Sequence, residues 1–79
     1  MVVVHRAHGF RFVIYLSDHE LAHVHLIGGG QAKVDIVGTD GKPKVVWVVG
    51  ISRADMRRLL AEVGDRQAEI LAAWRRMHG

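Results

Sequence analysis

The chain contains no cysteine, a single proline and few aromatic residues, which make up 6% of its 79 residues. Without cysteine, it can form neither a disulfide framework nor a zinc site with thiolate ligands. Cysteine-free domains are compatible with a reducing compartment, and we therefore expect a cytoplasmic location.

Long hydrophobic runs are also lacking, since none approaches the roughly 18 apolar residues that a membrane-spanning helix needs. The first ten residues, MVVVHRAHGF, lack the basic start, the apolar stretch and the small-residue cleavage site of a secretory signal. We therefore expect a soluble, unprocessed protein without membrane contact.

The length predicts one domain over residues 1–79, with a β-sheet region at 1–50 and a helical pair at 51–79. A chain this short buries only about 60–65% of the surface that its unfolded form exposes, so we expect modest stability that self-association or a partner would increase. Charge is uneven: residues 1–40 carry three basic and four acidic side chains, and residues 41–79 carry eight and four. The basic second half permits contact with phosphates or an acidic partner.

Alternating residue types predict strands in the first half of the chain. The clearest pattern is FRFVIYL, in which every second residue from Phe10 to Leu16 is large and apolar. The same reasoning, with turns between the segments, predicts strands at 2–5, 10–16, 23–27, 31–37 and 45–49. Pro43 places the last of them near a sheet edge.

After the last strand the apolar period changes to that of helices. Ser52 and Asp55 form a capping-box-like pair at the start of a first helix, which Gly64 is expected to end. Asp65 is expected to cap a second helix, whose apolar side includes Trp74. We therefore predict an α+β fold: an antiparallel sheet of four to five strands with two C-terminal helices packed on one face.

The stretch DHELAHVHL places three histidines and two carboxylates in nine positions. If the three glycines that follow form a loop, His23 lies opposite Asp35 and His25 opposite Lys33. The apolar alternate positions should lie beneath the helices, which leaves a polar, protonatable face uncovered. Imidazole rings buried beneath the helices would contradict this expectation. The expected members of the face are Arg11, Tyr15, His23, His25, Lys33 and Asp35.

Metal binding is one interpretation of this cluster. His23 and His25, two positions apart on a strand, project to the same side and can converge on one ion. His19, Asp18 or Glu20 would supply a third ligand. Zinc would be the cofactor in this case, and no cofactor is expected otherwise.

Acid and base chemistry on RNA is a second interpretation. His23, oriented by Asp35, would be the general base, and His25 the general acid. Lys33 would stabilise the charge that develops on the phosphate. Such an enzyme would be a metal-independent ribonuclease. The other residues assigned to its binding surface are Arg11, Tyr15, Asp18 and Glu20.

A third interpretation assigns no chemistry to the cluster. His23 and His25 would then be half-exposed strand residues, hydrogen-bonded to Asp35 and to the preceding loop. Trp47, between valines on an edge strand, is expected either in the core or in a protein interface. The remaining histidines are expected at the surface: His5, His8 and His78.

Three segments, FVIYLSDHELAHVHL, GGGQAKVDI and GISRADMRRLLAEVGDRQAEILAAWRRM, combine a strand with an acidic loop, a His-Val-His stretch, a glycine-rich turn into Ala-Lys, and two helices. In this order they resemble the bacterial domain-of-unknown-function 4160 family, from Phe10 onward. Two departures are Ala22, where the family usually has proline, and the segment 37–50, which is more strand-like. The positions to which the resemblance points are Ser17, Asp18, Glu20, His23, His25, Lys33 and Trp74.

Members of that family resemble small proteins encoded beside another short protein, an arrangement typical of toxin and antitoxin modules. The resemblance implies a component of such a module. We therefore expect a neighbouring antitoxin or toxin as partner, and the residues of the His/Lys/Arg face add RNA as a further ligand. The alternatives are a small metal-binding protein that uses the His-x-His strand and a purely structural interaction domain. A homo-oligomer is compatible with each of them.

Overall fold

The computed structural model describes residues 1–17 and 21–78, which form one antiparallel sheet of five strands followed by two helices. This confirms the predicted α+β fold. Neither helix in these two ranges is long and apolar enough to cross a membrane. The strands are β1 (Val2–Ala7), β2 (Phe10–Ile14), β3 (His23–Ile27), β4 (Gln31–Asp35) and β5 (Lys44–Val49), and the helices are α1 (Arg53–Asp65) and α2 (Gln67–His78).

The sheet is a meander in the order β1-β2-β3-β4-β5, so each strand pairs with its neighbours along the chain. In the first hairpin Ala7 pairs with Phe10, and the two residues between them, His8 and Gly9, have φ values of 54° and 77°. Positive φ at both central residues is what a type I′ turn requires, and the twist of that turn matches the twist of the strands. The first hairpin therefore has a two-residue turn.

The hairpin of β3 and β4 has the predicted three-residue glycine loop. Ile27 pairs with Gln31, and the N–H of Gly28 donates to the carbonyl oxygen of Gly30 at 3.0 Å. Gly30 also lies against the end of β5, because a Cβ atom at this position would stand 2.4 Å from the carbonyl oxygen of Gly50. The loop thus sets the register of β3 and β4 and lets β5 pass close beside it.

One face of the sheet forms the hydrophobic core with both helices, as predicted. Burial of each large apolar side chain contributes about 1.5–3 kcal/mol to stability. Leu16, expected on this face, is 53% exposed because the chain leaves the sheet after Ile14, so that part of the prediction is wrong. The buried core residues are Phe10, Phe12, Ile14, Val24, Leu26, Ala32, Val34 and Ile36 from the sheet, and Leu59, Val63, Ile70, Ala73 and Trp74 from the helices.

The start of α1 was predicted correctly, but its end was not. The Oγ atom of Ser52 accepts a hydrogen bond from the backbone N–H of Asp55 at 3.1 Å, which makes it the N-cap. Gly64 does not end α1, and Asp65 does not cap α2, because α1 continues through both residues. The C-cap is Arg66, whose N–H donates to carbonyl oxygens of the last turn without a left-handed residue.

Two polar side chains fasten the helices to the sheet. Nε2 of Gln67 donates to the carbonyl oxygens of Ile36 and Gly41, each at 2.9 Å. Nε2 of His5 donates to Oε2 of Glu62 at 2.6 Å and so ties β1 to α1. This hydrogen bond holds the pKa of the Glu62 carboxyl below its usual value. His5, expected at the surface, is therefore half-buried, with 20% of its side chain exposed.

Candidate functional site

The second face of the sheet carries the predicted polar residues in the predicted register. His23 pairs with Asp35, and His25 pairs with Lys33. Lys33 pairs in turn with Trp47 on β5. Because paired residues project to the same side of a sheet, three side chains stand next to each other across β3, β4 and β5. We call His25, Lys33 and Trp47 the cross-strand row.

Aromatic rings lie on both sides of His25. The ring centroid of His25 lies 4.7 Å from that of Tyr15, which approaches edge-on, and 6.0 Å from that of Trp47. Trp47 is 40% exposed, whereas Lys33 and His25 are half-buried. The row therefore offers a cation and an accessible indole on one surface. Tyr15, which was predicted on this face, lies beside His25.

His23 does not share this accessibility, since its side chain is only 1% exposed. Its ring centroid lies 5.1 Å from that of Trp74 on α2 and 5.2 Å from that of His25. The expectation of an uncovered His23 is wrong, because the last turns of α2 bring Trp74 against the start of β3. Val13 on β2, which pairs with His25 on β3, is also completely buried.

The orientation of the His23 ring is set by the backbone. Nδ1 of His23 donates to the carbonyl oxygen of Leu21 at 2.8 Å. A carbonyl oxygen can only accept, so the neutral ring carries its proton on Nδ1 and its lone pair on Nε2. The sequence assigned this orienting role to the carboxylate of Asp35, and the structure places a main-chain oxygen in that role instead. Among the described residues, the ring of His23 contacts Trp74 on α2 and His25 on β3.

Trp74 is also in contact with the last histidine of α2. Its ring stacks on that of His78, with centroids 3.8 Å apart and an interplanar angle of 25°. Nε2 of His78 is buried and has no hydrogen-bond partner within the part of the chain that the structure describes. His78, expected at the surface, is half-buried, because its ring extends the packed cluster of His23 and Trp74.

The other predicted site residues lie around the row rather than in it. Arg11 is exposed and pairs with Ile27, so it stands one row further along the same face. Asp35 is half-buried between His23 on β3 and Lys44 on β5. On this face Arg11 is thus exposed, whereas Asp35 pairs with the buried His23.

The metal interpretation depends on residues outside the described ranges. Asp18, His19 and Glu20, proposed as third ligand or as binding residues, all fall in the gap between residues 17 and 21. Within residues 1–17 and 21–78, no group of three or more histidine and carboxylate side chains could hold a metal ion. Zinc binding through His23 and His25 therefore stays a prediction.

Sequence reasoning did not assign Trp47 to the site, although it named the residue. The pairing of β4 and β5 shifts between Lys33 and Val34, so Val45 lies opposite Val34 and Val46 is the extra residue of a bulge. Counting back from the turn at residues 39–41 cannot show this shift. Only the observed register shows that Trp47 lies on the same face of the sheet as Lys33.

Chemically, the cross-strand row suits an anionic ligand with a flat apolar part. Lys33 supplies a positive charge, and the exposed face of Trp47 offers a surface on which a planar group can stack. His25, half-buried, adds a third ring to this surface beside Tyr15 and Trp47. Residues of these types on a partly exposed sheet face are a candidate binding surface.

Comparison with known proteins places the chain in a family. No curated protein and no solved structure matches it. A family model described as a domain of unknown function (DUF4160) matches residues 9–75. The match includes β2 to β5, α1 and most of α2, and it agrees with the resemblance seen in the sequence. The chain therefore belongs to the DUF4160 family.

Proposed function

We propose that the chain is a cytoplasmic component of a toxin–antitoxin-type module and binds single-stranded RNA through the cross-strand row. The supporting observation is the register that sets Lys33 between the rings of His25 and Trp47 on a partly exposed sheet face. Sheets that bind single-stranded RNA combine cations for the phosphates with aromatic rings on which bases stack. Arg11, exposed on the same face, would extend the cationic track.

Binding without cleavage is the form of this proposal that the burial of His23 favours. A general base must come within hydrogen-bond reach of the proton that it removes. The 1% exposure of His23 and its packing against Trp74 keep this ring from a bound 2′-hydroxyl. We therefore assign His23 to the framework and the contact with ligand to His25, Lys33 and Trp47.

The module itself is proposed from the family resemblance, which implies a neighbouring toxin or antitoxin as protein partner. Tyr, Trp and Arg are the residue types that dominate protein interfaces, and Tyr15, Trp47 and Arg11 stand on this face. A protein partner on the same surface is therefore the competing outcome. It would bind with little dependence on salt if its contacts are mostly apolar.

The test is binding of fluorescent single-stranded RNA of mixed sequence, measured by anisotropy at several salt concentrations. Lys33→Met should weaken binding about tenfold, since one charged hydrogen bond is worth about 1.5 kcal/mol. It should also make the slope of log K against log salt shallower by about 1. Lys42→Met is the matched control, because Lys42 is an exposed lysine in the turn before β5.

An equal loss of RNA affinity in Lys33→Met and Lys42→Met would contradict the proposal. It would show that RNA is attracted by the overall positive charge and not by a defined site. Absence of RNA binding together with binding of the neighbouring gene product, lost in Lys33→Met, would assign the row to the protein partner. Shortening of the RNA by the wild-type chain, abolished in His23→Ala, would restore the ribonuclease prediction.

A further inference from the structure

The last strand of the sheet is exposed and almost entirely apolar. β5 has the sequence KVVWVV and stands at the edge of the sheet. Four consecutive side chains, Val46, Trp47, Val48 and Val49, are 48%, 40%, 42% and 66% exposed. Exposed apolar edge strands are sites of pairing with another chain, because their outer N–H and C=O groups have no strand beside them.

The other edge of the sheet does not share these properties. The side chains of β1 are mostly half-buried, and the strand is tied to α1 through His5 and Glu62. β5 has a charge only at its first residue, Lys44, and a bulge at Val46. From Trp47 to Val49 its pairing with β4 is regular. The unprotected edge is thus the one formed by β5.

The sequence of β5 indicates which chain fits against it. Residues 45–49, Val-Val-Trp-Val-Val, read the same in both directions. In an antiparallel pair centred on Trp47, each valine would therefore take the position opposite a valine, and the two indoles would meet across the axis. Because of the bulge at Val46, Val45 faces the core side of the sheet and Val49 the second face, so at the ends of the segment the symmetry matches positions and not side-chain contacts. We propose that β5 pairs with β5 of a second copy of this chain and so forms a continuous ten-stranded sheet.

Charge favours the antiparallel arrangement over a parallel one. Centred on Trp47, the pairing places Lys44 opposite Gly50 of the copy. The two Lys44 side chains are then separated by six strand positions, or roughly 20 Å at about 3.3 Å per residue. A parallel pair in register would set the two ammonium groups side by side, where like charges repel.

This pairing has a geometric consequence for the site. The two-fold axis of an antiparallel, continuous sheet is perpendicular to the sheet, so the same face of both copies points in the same direction. The two cross-strand rows would lie on one surface and join at Trp47, with both helical pairs on the opposite surface. The inference rests on β5 alone and does not depend on RNA binding by the row.

The oligomeric state of the full chain, measured by sedimentation velocity over a range of concentrations, tests the proposal. The interface is small, so we expect a monomer–dimer equilibrium in the micromolar range. Val48→Lys should shift the dissociation constant at least tenfold toward monomer. Val37→Lys is the control, since Val37 is exposed to a similar degree, 45%, but lies outside β5. Far-UV circular dichroism should show that both variants are folded.

Single cysteine substitutions test the register. They are easy to interpret because the chain has no cysteine of its own. Trp47→Cys should form a disulfide-linked dimer under mild oxidation, because directly opposed strand residues have Cα atoms about 4.5–5.5 Å apart. Val49→Cys should not, because its image lies four positions away. A monomer at all concentrations, equal effects of Val48→Lys and Val37→Lys, or equal cross-linking at both cysteine positions would overturn the proposal.

Discussion

The second face of the sheet has a closed part and an open part, although both were expected to be open. In the closed part, His23 packs against Trp74 and donates to a main-chain carbonyl. In the open part, Lys33 stands between His25 and Trp47, and the indole of Trp47 is 40% exposed. The two histidines are two residues apart on one strand, yet only one of them can meet a ligand directly. Their difference shows that strand parity selects a face but not its accessibility.

The two tryptophans give the largest contrast between these parts. Trp74→Ala should lower the free energy of unfolding by about 3–5 kcal/mol, because it removes a buried indole from the core. For a domain of this size that is much of the total stability. Trp47→Ala should cost about 1 kcal/mol. Urea unfolding followed by circular dichroism measures both, and equal losses would erase the distinction between the closed and open parts.

Replacement of the two histidines should also lower the free energy of unfolding unequally, but the difference should be smaller than for the tryptophans. His23→Ala should cost about 2–3 kcal/mol, since packing is lost and the carbonyl oxygen of Leu21 is left without its donor. His25→Ala should cost about 1 kcal/mol. His23→Asn retains a side-chain donor and should recover part of the loss in the same urea experiment. If His25→Ala proves the more destabilising change, the assignment of His23 to the framework is wrong.

Sequence alone was sufficient for the register that defines the face. Three glycines between two alternating segments allow one simple hairpin, and that hairpin brings His25 opposite Lys33. The burial of His23 could not be predicted in this way. It depends on Trp74, which is 51 positions further along the chain, and on the direction in which α2 crosses the sheet.

Two other errors have local physical causes. Gly64 looked like a helix stop, but α1 continues to Asp65, and the N–H of Arg66 then donates to the carbonyl oxygens of Glu62 and Gly64 without a left-handed residue. The place of Trp47 was missed because the bulge at Val46 changes the parity of β5. In both cases the backbone hydrogen bonds differ from those that the residue types suggest: the helix continues past a glycine, and the strand contains an extra residue.

In the open part, replacement of Trp47 should weaken RNA binding more than it weakens the fold. Trp47→Leu should cost about 1–2 kcal/mol of binding, the worth of one base stacked on an aromatic ring. Trp47→Phe, which keeps a ring, should retain most of the affinity. Anisotropy measures both variants, and equal binding by the leucine and phenylalanine variants would show that no base stacks there.

The smallest effect is expected at the tie between His5 and Glu62, which lies outside both parts. The lowered pKa of Glu62 means that this carboxyl contributes stability above the ordinary value of 4.5 and that the contribution is lost as the pH falls through the folded-state value. Glu62→Gln should therefore lose less stability than the wild type on acidification below that value.

Thermal unfolding at pH 7 and at pH 3 measures this difference. Asp65→Asn, at an exposed carboxyl at the end of α1, serves as the control and should lose as much stability as the wild type between the two pH values. RNA binding at neutral pH should be unchanged in both variants, because neither residue belongs to the second sheet face. An identical acid response of Glu62→Gln and the wild type would show that this bond contributes nothing to the pH dependence.

The most direct measurement is a titration of the ¹⁵N-labelled chain with single-stranded RNA, observed at the indole N–H signals of its two tryptophans. The signal of Trp47 should move with increasing RNA, together with the backbone amides of His25 and Lys33, while that of Trp74 stays in place. Movement of Trp74 with a stationary Trp47, or changes confined to the arginine-bearing helices, would contradict the assignment of binding to the cross-strand row.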